Sequence, residues 1–200
     1  MWQLRRPSVE QVQRFREAQN SLPYSYPGVG ATRDGGPTPA GYDRDRNRHR
    51  LGAGEAAFAA AREAIRAWHM FPPPLAEIEP AGIPIAEGEV AGVLLRTFGV
   101  WFLCSARIVY VINEPRRFGF AYGTLPGHAE SGEERFLVEW LADDSVWYDL
   151  DAFSRPRYWL ARLGYPLARR LQRRFVRLSK ARMADAVARA DSARKSRPRS

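Results

Sequence analysis

His128 lies in the loop Thr124–Glu134 of this 200-residue chain, with Glu130, Glu133 and Glu134 close behind it. A histidine beside carboxylates can have its pKa raised toward neutrality and serve as a general acid or base. His128, with Glu130 and Glu133, is therefore the candidate catalytic group. The competing reading is a hairpin loop in which His and Thr side chains hold their own backbone while the glutamates sit in water. No nucleophile signature accompanies it, since the chain has neither a GxSxG elbow nor a GxxxxGK loop. Metal and cofactor chemistry are not expected. His49, His69 and His128 are far apart, and Cys104 has no CxxC or HxxxH partner. Gly52-Ala53-Gly54-Glu55-Ala56-Ala57 fits GxGxxA nominally. A dinucleotide site needs a buried parallel strand before that turn and further βαβ units after it. Here a highly charged stretch precedes it, and a helix-opening turn accounts for the glycines.

Binding chemistry is more visible. In Phe118–Gly123 the aromatics Phe118, Phe120 and Tyr122 alternate with Gly119, Ala121 and Gly123. On a strand this puts bulk on one face and bare backbone on the other. Bare strand backbone invites close approach by a helix or a ligand. With Trp101, Trp140 and Trp147, these aromatics are the right material for a cavity around a flat or greasy molecule. Trp101, Phe118, Phe120, Tyr122 and Trp140 would supply shape; Tyr122, Thr124 and His128 would supply polar contacts near the mouth. The alternative is that the aromatics fill a core. Strand parity also requires some of them to point away from any common cavity.

The elements that must position these residues follow from pattern. Ser8 with Gln11 reads as a capping box opening a helix over 8–19. A Pro/Gly-rich stretch follows, pinned by Tyr24 and Tyr26. Tyr42–Leu51 alternates strictly, with Arg44, Arg46, Arg48 and Arg50 on one face, and predicts an edge strand. A helix over 54–69 carries Phe58, Ala61, Ile65 and Trp68 on one face and stops at Pro72-Pro73-Pro74. Strands are expected near 75–79, 89–97, 100–114, 117–124, 133–141 and 145–153. Their short connections allow only antiparallel neighbours. A long helix is expected from Pro156 to about Ala190, jogged at Gly164-Tyr165-Pro166, with Leu160, Leu163, Leu167, Leu171, Phe175 and Leu178 as its buried stripe. Strand, helix, meander and long terminal helix is the order of the helix-grip, or START-like, architecture. The expected fold is therefore α+β, a curved antiparallel sheet of six or seven strands gripping the C-terminal helix, often around a cavity.

Charge is unevenly placed. Residues 155–200 hold 15 Lys and Arg against 2 Asp and Glu, while residues 1–154 hold 16 against 20, within a net charge of +9. That asymmetry counts against the whole protein being a nucleic-acid binder. The segment itself offers Arg169, Arg170, Arg173 and Arg174 as an anion-binding set for phosphates of nucleic acid or anionic lipid. No base-stacking aromatics are interleaved with these charges, so a solvated helix face is the favoured reading. The lone cysteine, the absence of a signal peptide and the interruption of the apolar stretch 90–112 by Arg96 and Arg107 suit a cytoplasmic protein without a membrane span.

VGATR at Val29–Arg33, LGAGEAAF at Leu51–Phe58, FGFAYGTLPGHAESGEERFLVEW at Phe118–Trp140 and FSRPRYWLARLGYPLARRLQRRF at Phe153–Phe175 resemble a family of bacteria and plants. It is the domain-of-unknown-function family numbered nineteen-ninety. The resemblance spans about residues 22–183 and implies a single intracellular domain; it brings no activity with it. Tyr42–Leu51 departs from it, being less apolar on one face than the family leads one to expect. The expected organisation is an N-terminal helical extension over 1–21, one START-like domain over 22–189 and a disordered basic tail over 190–200. The expected function is binding of a small apolar or aromatic ligand between sheet and C-terminal helix. The alternatives are a cyclase- or hydratase-type enzyme using His128, and an anionic-surface or nucleic-acid adaptor using the Arg-rich helix.

Overall fold

Short turns force antiparallel neighbours, and the computed structural model, which describes residues 1–33, 35–157 and 165–196, shows the sheet they build. Strands β3 (Ala76–Glu79), β4 (Val90–Thr97), β5 (Val100–Glu114), β6 (Arg117–Thr124), β7 (Glu130–Trp140) and β8 (Ser145–Pro156) form a meander. Strand β2 (Asp43–Ala53) adds to β8, giving the order β2-β8-β7-β6-β5-β4-β3. The short β1 (Trp2–Gln3) pairs with β5 at Trp101 and Phe102. The helices among the described residues are α1 (Val9–Gln19), α2 (Gly54–Arg66) and α3 (Tyr165–Lys195). The register slips between Arg50 and Gly52 on β2 and between Ile108 and Tyr110 on β5. Such irregularities bend a strand and increase its twist. The result is an α+β fold in which a curved antiparallel sheet grips the C-terminal helix.

Both faces of the sheet are covered, which is why its strands read as more apolar than simple alternation. On the inner face Ile108, Phe120, Phe136, Val138, Tyr148 and Leu150 meet Phe58, Ala61 and Ile65 of α2 and Met183 and Val187 of α3. Each large side chain buried this way contributes roughly 1.5–3 kcal/mol. On the outer face α1, opened by the reciprocal Ser8–Gln11 capping box, lays Val12 on Leu94, Trp101 and Leu103. A Cβ at Gly92 would fall 2.6 Å from Val12 Cγ1, so glycine sets how closely α1 approaches β4. The N-terminal segment is therefore a layer of the fold and more than an appendage. Tyr26 and Tyr42, from the stretch before β2, pack edge-on against Phe153 of β8.

Charged β2 sits at the sheet edge, and its arginines have partners on the outer face. Arg44 donates to both oxygens of Asp151 at 2.7 and 2.6 Å, and Arg48 donates to Glu139 at 3.0 Å while lying over Trp147. The bare face of β6 is approached by Tyr26. A Cβ at Gly123 would fall 2.1 Å from Tyr26 Oη, so this glycine makes room for a tyrosine.

Three expectations are corrected. Helix α2 ends at Arg66, ahead of the prolines, because Trp68 takes a left-handed φ of 56° and donates its indole N–H to Ile83 O at 2.9 Å. The chain is still β-strand at Pro156, where the last helix was expected to begin, since β8 pairs there with Glu130. Helix α3 runs past residue 190 to Lys195, which pairs with Asp191 one turn earlier at 2.7 Å. Its buried side continues from Phe175 and Val176 through Ser179, Met183 and Val187, with Leu178 off that line. Gly164, where the expected jog begins, and the side chains of Leu160, Leu163 and Leu167 lie outside the described residues, as do residues 197–200.

Candidate functional site between sheet and C-terminal helix

Antiparallel pairing places directly opposed residues on one face. Phe120 is opposite Phe136, and Tyr122 is opposite Glu134. The aromatic face of β6 is therefore continued on β7 by its even-numbered residues, and Glu134 turns inward while Glu133 turns outward. Near the N-terminal half of α3 the inner face is not filled. A cavity of about 250 Å³ opens there, walled by Phe71, Leu75, Val93, Leu95, Ala152, Leu171, Phe175 and Val176. Its polar end is made by Tyr122, Thr124, His128, Glu130, Glu134, Ser154, Gln172 and Asp45. A wider groove of about 520 Å³ lies on the outer face between α1 and β4, but Gln13, Arg16, Glu17, Glu79 and Glu89 make it a polar surface furrow.

The polar end has a definite hydrogen-bond order. Tyr122 Oη donates to Glu134 at 2.8 Å. Desolvation pushes the Glu134 carboxyl up to about 7, against the Tyr122 hydrogen bond and with help from the charges of Glu130 and Asp45. Gln172 of α3 donates to Glu130 at 2.8 Å and to Ser154 at 3.2 Å. Burial raises the Glu130 carboxyl as well. His128 is 9% exposed, and desolvation lowers it to about 4, so it is neutral at pH 7. Its Nδ1 accepts the Glu130 N–H at 3.0 Å, which leaves the ring proton on Nε2. A carboxyl titrating near neutrality beside a cavity can bind a cation, donate a hydrogen bond or move a proton.

The expected catalytic trio is thus divided. His128, Glu130 and Glu133 all border the cavity, but Glu133 is 2% exposed and turns its carboxylate to the outer side of β7. There it accepts Tyr26 Oη and Gly30 N–H, both at 2.7 Å, and the Thr32 N–H and hydroxyl at 3.0 and 2.5 Å. Of the expected ligand residues, Tyr122 and Thr124 line the cavity, and the Thr124 hydroxyl is also engaged with Gly132 and Ser25. The other four are elsewhere. Trp101 packs on the outer face under Arg6 and Arg96, because odd-numbered residues of this part of β5 point outward. Phe120 is core, against Trp68 and Phe136, and Phe118 is core under Arg66. Trp140 stacks on Phe58 and donates to Asp144 at 2.8 Å.

Of the expected anion-binding set, Arg169 is committed to Asp45 and Gln172. Arg170, Arg173 and Arg174 are exposed and make no ion pair among the described residues. Gln172 and Phe71 carry no expectation from the sequence, while Glu134 is expected only as a neighbour of His128 and Phe175 only as part of the helix's buried stripe. Glu134 had a usable signal: counting back across the Leu125–Ala129 turn from Tyr122 reaches it. Gln172 had none, because it depends on how α3 docks.

The sequence model described as "Domain of unknown function (DUF1990)" matches residues 25–182. This chain belongs to that family. The UPF0548 protein of Dictyostelium discoideum is 33% identical over 196 residues, covering 88% of this chain and 91% of its own length. That of Deinococcus radiodurans is 38% identical over 187 residues, covering 88% and 94%. Among solved structures, Ara h 8.0201 aligns with a TM-score of 0.47 at 13% identity, over 74% of this chain and 99% of its own. Norcoclaurine synthase from Thalictrum flavum, crystallised with dopamine and hydroxybenzaldehyde, aligns with a TM-score of 0.45 at 13% identity, over 79% and 90%. Among the described residues of this DUF1990 member, no helix is long and apolar enough to cross a membrane.

Proposed function

We propose that this DUF1990 member binds a small, largely apolar molecule in the cavity between its sheet and α3. The observation that carries the reading is the cavity itself: about 250 Å³, apolar along its walls and polar at one end. Ligand sites characteristically combine an apolar lining with a few converging polar groups. A cavity of about 150 Å³ is enough to hold benzene, so this one has room for a six- to eight-carbon body with a headgroup (roughly, on the same comparison). Tyr122, His128, Glu130 and Glu134 orient the headgroup, and Phe71, Leu95 and Phe175 hold the body. Native mass spectra of the purified full-length chain, beside spectra of the denatured sample, test this. A mass that survives gentle ionisation and leaves on denaturation is expected, and Ala152→Phe, which fills the wall, abolishes it. A bare chain, together with no saturable thermal shift from apolar molecules of that size, refutes it.

A second reading is proton-transfer catalysis, with Glu134 in place of His128. It is favoured by the Glu134 carboxyl at about 7 beside the cavity, where His128 at about 4 is too weak a base for neutral pH. A turnover whose pH profile carries a limb near 7, lost in Glu134→Gln, supports it; a limb that persists in that variant removes it.

A further inference from the structure

Within a chain of net charge +9, the described residues that line the cavity include Asp45, Glu130 and Glu134 and neither Lys nor Arg. Asp45 is neutralised by the guanidinium of Arg169, which binds both its oxygens. Glu130 and Glu134 are not: each accepts a neutral donor, Gln172 Nε2 and Tyr122 Oη respectively, and neither has an ion pair among the described residues. Two carboxylates turned toward one apolar space, with no ion pair among the described residues, stay ionised at a cost that either a proton or a joining positive charge relieves. Among the described residues no three His, Cys, Asp or Glu side chains converge closely enough to hold a metal ion, so the geometry favours an organic cation. An independent group points the same way. His128 is buried, lines the cavity and carries its proton on Nε2, which has no hydrogen-bond partner among the described residues. A ligand that satisfies this end therefore brings a cationic donor for the two carboxylates and, beside it, an oxygen to accept from Nε2.

We propose that the cavity takes a small aliphatic amine in its protonated form with a neighbouring oxygen, an amino alcohol in chemical class. The ammonium lies between Glu130 and Glu134, the oxygen meets His128 Nε2–H, and the chain runs along Val93, Leu95 and Phe175. This rests on the ligand-binding reading above and narrows it. The groups facing Glu134 are Tyr122 of β6, Tyr148 of β8, Glu130 of its own strand, Asp45 of β2 and His128, with Arg169 of α3 held by Asp45. Burial pushes the Glu134 carboxyl up to about 7 and raises that of Glu130, so an ammonium that needs ionised carboxylates expels a proton.

Calorimetric titration with three six-carbon probes tests the proposal: 2-amino-1-hexanol, 1,2-hexanediol and 2-hydroxyhexanoate. The amino alcohol is expected to bind at least about tenfold more tightly than the diol, the gain of one charge-assisted pairing, and the hydroxy acid not at all. Below pH 7 its affinity falls about tenfold per pH unit, because the carboxyl must first ionise. Two buffers of different ionisation heat reveal the released proton. Glu134→Gln, which preserves shape and an oxygen for Tyr122, brings the amino alcohol to the level of the diol and flattens the profile; Glu130→Gln is the second variant should that one fold poorly. A diol that binds as tightly as the amine, or amine binding indifferent to pH and to both variants, overturns the amine assignment and leaves ligand binding standing. No binding of any probe, with a bare chain in the native spectrum, overturns both.

Discussion

Glu133 is the residue whose removal has the most legible consequence. Its carboxylate accepts four hydrogen bonds, two on each oxygen: Tyr26 Oη and Gly30 N–H on Oε2, Thr32 N–H and hydroxyl on Oε1. The Thr32 hydroxyl is in turn 2.8 Å from Tyr110 Oη, so β5 and β7 are both tied to the stretch before β2. In Glu133→Ala the two backbone donors and two hydroxyls lose their acceptor at a site only 2% exposed. Each stranded donor costs about 1–3 kcal/mol, partly relieved by water in the space created. With some of the four neutral donors relieved by water, the loss in all is about 3–5 kcal/mol. Glu133→Gln separates the two oxygens. The amide keeps an acceptor for Thr32 but turns a donor toward Gly30 and Tyr26, so about half the loss is expected. Urea denaturation measures both values, and in a thermal scan each kcal/mol moves the midpoint of a domain of this size by roughly 2–4 °C. Amide exchange of Gly30 and Thr32 should accelerate in both variants beyond the global change. An alanine variant within about 1 kcal/mol of the parent, with Gly30 and Thr32 still protected, refutes the anchor.

Glu134 gives the fold a pH signature. Its folded pKa is raised from the ordinary 4.5 to about 7, so the folded state holds the proton longer than the unfolded one, and stability falls as pH climbs through that window. Glu134→Gln has no such proton to lose; denaturation at pH 5 and pH 8 should show the variant gaining on the parent at the higher pH, and parallel curves count against the shift. Asp151→Asn leaves Arg44 half-paired at a site where the acid is 2% exposed; a loss of about 3 kcal/mol in the same assay is expected, and one near zero means the pair is solvated. Gly123→Ala drives a methyl to within 2.1 Å of Tyr26 Oη; overpacking of this kind costs about 1–3 kcal/mol, and an unchanged midpoint means Tyr26 has room to withdraw.

The architecture was readable where turn chemistry and pattern agreed. Asn113-Glu114-Pro115 marks the β5–β6 turn, and Asp143-Asp144-Ser145 marks the start of β8. The start of β7 was not readable, because Glu130, Ser131 and Gly132 are loop-like in type; they are strand because Pro156, Arg155 and Ser154 of β8 lie opposite to pair with them. The same limit explains the aromatics. Trp101 and Phe120 are equally apolar, yet one faces α1 and the other the core, and only the registers between strands decide which. Glu133 and Glu134, both close to His128 in sequence, differ by a single step of parity, and neighbouring strand residues point to opposite faces. What α3 contributes to the cavity is a docking outcome, and no periodicity within 169–195 shows that Gln172 meets Glu130 and Ser154.

Adjacent Glu133 and Glu134 show how one strand divides two tasks. Four donors fix the first as an acceptor only, and one tyrosine and an apolar cavity leave the second poised to change its charge. The stretches through which the chain resembles its family fall on both sides of that division. VGATR supplies Gly30 and Thr32, which grip Glu133 from the outer face, while the strand–loop–strand motif supplies Tyr122, His128 and Glu134 to the inner one. Family resemblance in VGATR therefore reports the anchoring of the segment before β2 and carries no information about a ligand. Substitutions confined to Tyr122, His128, Glu130 and Glu134 are the ones that should change what the cavity accepts while leaving that anchor intact.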